Sequence, residues 1–300
     1  MNKKILITGG TGFIGKSLVE YFSTQYFFPL RRNIWAPSSK ELNLLDGPAV
    51  EAYLREHQFD IIIHAATYDA VPEFSTKDVT KQAENNLKMY FNLARCKTYF
   101  HKMIYFGSGA VYDRNHLKPK MKEEYFDQHI PMDQYGFSKY VMTKYTQTTN
   151  YIYNLRIFGV FGKFDDWRYR FISNACCKAV FGLPITIKQN VYFDYIYVQD
   201  LMRLVDWFIE NDTSERVFNA SGPVIVDYKT IAEKIKDISG KDLNIIIEKP
   251  ELREEYSGDN SLLVSRVKDF HYTTLDKSLQ TLYNWYDTHR HIINPDEFAY

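Results

Sequence analysis

The sequence is short of everything that would mark a secreted, fibrous or charge-driven protein. Only three cysteines occur, Cys96, Cys176 and Cys177. They cannot all pair, two are adjacent, and none stands at metal-ligand spacing. That excludes a disulfide scaffold or a cysteine zinc site and leaves buried thiols in a reduced compartment. Neither sign of charge is in excess, since 37 basic residues balance 37 acidic ones. No global field therefore draws the chain to nucleic acid or to an anionic lipid surface. No apolar run approaches the roughly 20 residues of a membrane span. No leader is read either, because Lys3 and Lys4 run directly into Ile5-Leu6-Ile7. A cytoplasmic protein is expected. Aromatics are plentiful, with 24 Tyr and 21 Phe, and without a basic groove beside them they read as core and interface filling.

The first two thirds of the chain alternates apolar β-branched runs with amphipathic stretches, the pattern of βαβ units on a parallel sheet. Strands are expected at Lys4–Thr8, Ile34–Ala36, Asp60–His64, Lys102–Phe106 and Tyr153–Phe158. Helices are expected at Lys16–Phe22, Ala49–His57, Val79–Tyr99 and Tyr135–Thr149. Further on the rhythm loosens. Helices are read at Trp167–Phe181, Gln199–Glu210, Tyr228–Ser239 and Leu279–Tyr286, and strand pieces near Phe193–Val198, Val217–Asn219 and Asn244–Glu248. The tail Asn294–Tyr300 is expected to fray. Asp165-Asp166 reads as a helix-start cap, and His101, His116, His129 and His271 show no pairing pattern. No repeat or clean linker is visible.

Thr8-Gly9-Gly10-Thr11-Gly12-Phe13-Ile14-Gly15 follows the first strand and opens a helix. In that context Gly9 permits a tight turn, Gly12 lets backbone approach a pyrophosphate, and Gly15 lets helix and strand pack closely. The amides and dipole of the helix start would meet the phosphate charge. Tyr135 and Lys139 stand four apart and so share a helix face. A carbonyl reduction needs a proton donor at the oxygen, and a phenol of pKa near 10 is about three units too reluctant at neutral pH, or roughly 4 kcal/mol. An ammonium alongside it lowers that barrier.

These motifs resemble those of the extended short-chain dehydrogenases, a family of nucleotide-sugar epimerases, dehydratases and reductases. Its further landmarks follow in order: His64-Ala65-Ala66 after the fourth strand, a Ser108 segment ending in Val111-Tyr112, then Tyr135-Gly-Phe-Ser-Lys139. Next come Leu155-Arg156-Ile-Phe-Gly-Val-Phe-Gly162, Asp194-Tyr-Ile-Tyr-Val-Gln-Asp200, and the terminal Asn284-Trp285-Tyr286. The resemblance spans nearly the whole chain. It implies an α/β fold with a Rossmann-type doubly wound parallel sheet at residues 1–162, returning near 190–210. A small C-terminal α/β substrate-binding lobe would occupy 163–189 and 211–300, and a cleft between the two would hold a sugar nucleotide. It also implies that Ser108 orients the substrate oxygen, that Lys139 holds the nicotinamide ribose, and that Asn43 and Leu44 lie near the adenine, with Ala65 and Ala66 near the ribose and pyrophosphate. Two long helices, Val79–Tyr99 and Tyr135–Thr149, would pair across a two-fold axis in a homodimer.

An acid closing the second strand would clamp a ribose 2′-hydroxyl and repel a 2′-phosphate. The chain offers Ser38-Ser39-Lys40 there instead, with Glu41 read as beginning the next turn, so NADP(H) is expected rather than NAD(H). Dehydratases of the family carry an Asp–Glu pair after the catalytic hydroxyl residue, whereas Gly109-Ala110 holds no acid. Lys40-Glu-Leu-Asn-Leu-Leu-Asp46 resembles GDP-fucose-synthase-like members, which epimerise and reduce a 4-keto-6-deoxy sugar. Their epimerising Cys and His positions correspond here to Ala110 and Arg170, neither of which can exchange a proton at neutral pH. The expectation is an NADPH-dependent 4-ketoreductase of a nucleotide-linked 4-keto-6-deoxy sugar, with GDP preferred. Family members place an Arg before the Asp194 position to grip the diphosphate. Phe193 stands there, leaving Arg168, Arg170, Lys188 and Arg253 as substitutes. An epimerase of the same family and a non-catalytic NADP(H)-binding sensor remain open.

Overall fold

In the computed structural model, which describes residues 3–24, 33–71 and 74–299, the opening apolar run forms β1 (Lys4–Thr8) and the glycine loop leads into α1 (Phe13–Thr24). Then follow β2 (Asn33–Trp35), α2 (Gly47–His57), β3 (Ile61–His64), α3 (Gln82–Ala94), β4 (Lys102–Ser108), α4 (Gln134–Gln147) and β5 (Ile152–Ile157). The later chain adds β6 (Val160–Phe161), α5 (Phe171–Phe181), β7 (Ile185–Asp194), β8 (Ile196–Tyr197) and α6 (Val198–Glu210). It continues with β9 (Val217–Ala220), β10 (Ile225–Asp227), α7 (Tyr228–Ser239), β11 (Ile245–Tyr256), α8 (Ser261–Arg266) and α9 (Leu275–Thr288).

The chain divides into two compact units, one of residues 1–116, 122–157 and 202–219, the other of 117–121, 158–201 and 220–300. The first unit therefore closes at Ile157 and returns with Met202–Asn219, whereas the sequence reading put the boundary at Gly162 and the return near 190–210.

The first unit is built on a six-stranded sheet in the order β2-β1-β3-β4-β5-β9, with β1 parallel to β2 and β3, and β4 parallel to β3 and β5. Ile5, Leu6, Ile7, Ile62 and Ile63 have no exposure, as expected of parallel strands covered on both faces. The chain leaves β1 outward to β2 and returns to β3 on the other side. This puts the switch of direction, where doubly wound sheets bind ligands, at the carboxyl ends of β1 and β3. His64-Ala65-Ala66 follows the third strand rather than the fourth, because the chain after Trp35 forms turns until α2, which Asp46 caps by accepting from the Ala49 amide at 3.1 Å.

The helix read over Val79–Tyr99 is three pieces: a 3-10 turn at Val79–Lys81, α3, and a second 3-10 turn at Lys97–Tyr99. The second turn is spent on the sheet, since the Tyr99 carbonyl accepts from the Phe59 amide that leads into β3, at 3.0 Å.

The second unit packs α5, α7 and α9 around a cluster that includes Cys176, Ala179, Ile187, Ile231, Ile235 and Leu282. β7 lies between antiparallel β10 and parallel β11. Cys96, Cys176 and Cys177 are all buried and free.

Sequence reading fell short in this unit. β7 begins at Ile185, well before Phe193, and β11 runs on to Tyr256 through irregular register after Lys249. From Glu248 to Glu254 β11 is exposed and mostly charged, with Pro250 among these residues, which suits an irregular edge strand and erases the alternation. α5 starts only at Phe171, because Asp166 closes a separate turn. Its carboxylate accepts from the Arg168 amide at 3.1 Å and its carbonyl from the Arg170 amide at 3.0 Å. The Asp165-Asp166 pair is thus not the cap of α5, whose N-cap residue is Arg170. The tail does not fray over its described part: the Ala299 amide donates to Arg168 O at 2.8 Å, and Phe298 meets the Trp167 ring edge-on at 5.5 Å. Tyr300 lies outside the described residues. Among the described residues, no helix is long and apolar enough to cross a membrane.

Candidate active site

The glycine loop is held by collisions that only glycine avoids. Gly9 has φ 74°, and a Cβ there would lie 2.6 Å from the Ala66 amide nitrogen. A Cβ on Gly15 would lie 1.9 Å from the Gly9 carbonyl oxygen. A Cβ on Gly12 would meet only the Gly9 oxygen at 3.5 Å, so the loop has room at the point where a pyrophosphate would sit. Ala65 and Ala66 are tied to the end of β1, with the Ala65 amide donating to Thr8 O at 3.2 Å and the Ala66 amide to Thr8 Oγ1 at 3.4 Å. The chain just beyond is fixed by Asn86, 3% exposed on α3, whose Oδ1 accepts from the Tyr68 amide at 2.8 Å and the Thr67 hydroxyl at 3.2 Å. Sequence reasoning passed over Asn86, and its helix also buries Gln82 and Asn92, so residue type did not single it out.

The segment after β2 lies against this loop, since a Cβ on Gly10 would come 3.0 Å from Ala36 Cβ. Ser39 and Lys40 are exposed and Ser38 half-buried. Glu41 does more than begin a turn. Its Oε2 accepts from both the amide and the hydroxyl of Ser38, each at 2.8 Å, and these bonds hold the carboxyl below its ordinary pKa. Asn43 is exposed, while Leu44 is 7% exposed in the core, its carbonyl accepting from Asn92 at 2.9 Å.

Ser108 ends β4 and α4 carries Tyr135 and Lys139. α4 is aimed by its cap, Asp133, which accepts from the Gly136 amide at 2.8 Å, and by Gly136 itself, where a Cβ would lie 2.7 Å from Ala110 O. The first turn of the helix is thereby pressed onto the 3-10 turn that follows Ser108. The Ser108 hydroxyl oxygen accepts from the Ala110 amide at 3.1 Å. Lys139 is 4% exposed and donates to Phe106 O at 2.9 Å, with its amine 4.6 Å from the Tyr105 ring centre and 5.5 Å from that of Tyr135. Burial holds this amine down at about 7, against the pull of Asp69. His64 is held neutral by burial and then by Lys139, at about 3, and its Nδ1 shares a hydrogen bond with Thr8 Oγ1 at 2.8 Å. The arrangement offers one half-buried phenol, a hydroxyl and a proton-exchanging amine, the amine connected through His64 to Thr8, where the glycine loop begins.

The four cations proposed for the diphosphate differ in their surroundings. Arg168 is engaged by Asp166, through Nη2 at 2.6 Å and Nε at 2.8 Å. Lys188 is exposed on β7. Arg170 and Arg253 both act on the Tyr228 phenol. Phe193 stacks on Tyr195 at 4.7 Å and fills the space that a Cβ on Gly159 would need. Two histidines read as unpaired do pair: the His116 and His129 rings stack at 3.7 Å, and His116 Nδ1 lies 2.6 Å from Asp113.

A model of the NAD dependent epimerase/dehydratase family matches residues 5–221. The chain belongs to that family. Within the epimerase/dehydratase family, it is 26% identical over 273 residues to a dTDP-D-glucose 4,6-dehydratase of Dictyostelium discoideum, covering 79% of this chain and 62% of that enzyme. Its structure resembles that of GDP-mannoheptose C4 reductase from Campylobacter jejuni with NADP bound, at TM-score 0.81 and 21% identity, over 95% of this chain and 98% of the other. It also resembles a GDP-L-fucose synthetase from Naegleria fowleri bound to NADP, at TM-score 0.85 and 17% identity, over 96% and 94%. At such identities the two structures show the fold alone, a parallel Rossmann-type sheet with flanking helices.

Proposed function

We propose that the chain is an NADPH-dependent 4-ketoreductase acting on a nucleotide-diphospho-4-keto-6-deoxy sugar, with GDP preferred. The observation that carries this reading is the buried Lys139 amine lying over the Tyr135 ring, on a helix pressed against the turn after Ser108, in the same unit as the glycine loop. NADPH would supply the hydride to C4. Gly9, Thr11, Gly12, Phe13, Ile14 and Gly15 would hold its pyrophosphate, Ser38, Ser39 and Lys40 its 2′-phosphate, and Lys139 its nicotinamide ribose. The Tyr135 hydroxyl would pass its proton to the C4 oxygen, oriented by Ser108, and an amine poised near 7 can restore that proton at neutral pH.

A pure reduction is favoured because Ala110, 3% exposed beside Ser108, holds no exchangeable proton for prior epimerisation. The GDP preference is supported by the two solved relatives whose names specify GDP-sugars. Of the four cations, Arg170 and Arg253 are the pair assigned to the diphosphate in this reading, supported by their shared neighbour Tyr228. A homodimer through α3 and α4, working in the cytoplasm on precursors of surface polysaccharide, fits the same reading.

The test is loss of reduced-nicotinamide absorbance with GDP-, dTDP-, CDP- and UDP-linked 4-keto-6-deoxy sugars in parallel. Stoichiometric NADPH consumption is expected with one of them, and Tyr135→Phe should slow it by about 10²–10⁴-fold. Sugar interconversion without NADPH consumption would replace the reductase by an epimerase. NADPH binding with no turnover on any sugar would replace it by a sensor.

A further inference from the structure

We propose that Glu41 is a resident competitor for the dinucleotide's 2′-phosphate, so that its carboxylate, seated on Ser38, tempers this chain's preference for NADPH over NADH. The inference rests on the proposed dinucleotide site and deepens it.

In a doubly wound sheet, the side chains just past the second strand are the ones that meet the adenosine ribose. Here that segment lies against the glycine loop through Ala36 and Gly10. Ser38 carries two donors, its amide and its hydroxyl, the pair an incoming phosphate would take. Both are committed to one oxygen of Glu41, at 2.8 Å each. The backbone cannot carry Glu41 away, because the amides of Glu41 and Leu42 donate to Ser38 O at 3.0 and 2.9 Å, and Leu42 is 5% exposed in the core. The side chain itself is exposed and can rotate off. A 2′-phosphate must therefore displace a carboxylate from Ser38 and then sit beside its charge. A ribose bearing a plain 2′-hydroxyl meets no such conflict and could donate to the same carboxylate. Glu41 thus acts as the missing acid of the second strand, supplied from the turn that follows it.

A capping-box role would use the same residues, and it predicts something different. If Glu41 only braced the turn, its loss would weaken both dinucleotides together.

Wild type, Glu41→Gln and Ser38→Ala should be titrated with NADPH and with NADH by fluorescence. Removing a like charge a few ångströms from the phosphate should tighten NADPH about tenfold in Glu41→Gln. NADH should be unchanged or weaker, so the preference ratio rises. Ser38→Ala should lower that ratio. A ratio unmoved or lowered in Glu41→Gln, or equal weakening of both ligands, overturns the inference while leaving the dinucleotide site intact. A wild type that binds neither ligand overturns the site itself.

Discussion

Lys139→Met should leave the protein inactive and more stable at neutral pH. The Lys139 amine has an ordinary value of 10.5 and is held at about 7 by burial. Its folded value is depressed, so between those limits the unfolded chain binds more protons than the folded one and stability rises with pH. Below pH 7 both states are protonated and the full penalty is present. The penalty fades as pH climbs from 7 towards 10.5. At pH 7 it is about 4 kcal/mol. Methionine matches the length of the stem and removes that penalty, but it leaves Phe106 O without the donor now 2.9 Å away, a loss of about 1–3 kcal/mol.

The balance is a gain of about 1–3 kcal/mol at pH 7, or roughly 2–6 °C in melting temperature for a chain of this size. Near pH 10 the amine is neutral in the folded state and still mostly protonated when unfolded, so a penalty of only about 1 kcal/mol remains; the lost hydrogen bond matches or exceeds it and the gain vanishes or reverses. Differential scanning calorimetry of both proteins at pH 7 and pH 10 reads this directly, and other titrating groups cancel in the difference. A variant less stable than wild type at pH 7, or a gain of equal size at both pH values, would refute the reasoning.

Gly15→Ala would put a Cβ 1.9 Å from the Gly9 carbonyl; NADPH affinity measured by titration should fall at least about tenfold, with a lower melting temperature. Arg170→Ala with Arg253→Ala should raise the KM for the nucleotide sugar about tenfold with kcat preserved, as loss of binding shared by ground and transition states. Arg168→Ala should instead spare KM and lower the melting temperature, because its guanidinium is engaged by Asp166.

Local pattern carried the first half of the fold. A buried apolar strand, three glycines and an amphipathic helix in sequence leave few alternatives, and β1, α1, β3, β4, α4 and β5 lie close to where periodicity puts them. What escaped was decided at a distance. The far half of β11 read poorly because an exposed strand in irregular register need not alternate. The α3 segment broke because Tyr99 is tied to the start of β3, and α5 started late because Asp166 closed a turn of its own. The pairing of His116 with His129 joins residues on separate turns.

The site divides in the same way, and the division explains why its chemistry was only half legible. Spacing alone puts Tyr135 and Lys139 on one face of a helix, and it names the groups that exchange a proton. It does not set the proton affinity of the amine. That is set by burial of the amine, opposed by Asp69 from a distant segment of the chain, and the spacing reports neither. Glu41 is the converse case. Its type was plain and its position near the second strand was read, but the turn that folds its carboxylate onto Ser38 depends on Leu42 and Leu44 being drawn into the core. In both places apolar burial, which patterns do report, sets the behaviour of a charge, which they do not. The residues whose substitution should move pH dependence or cofactor choice are therefore those where a legible motif meets a buried neighbour from another element.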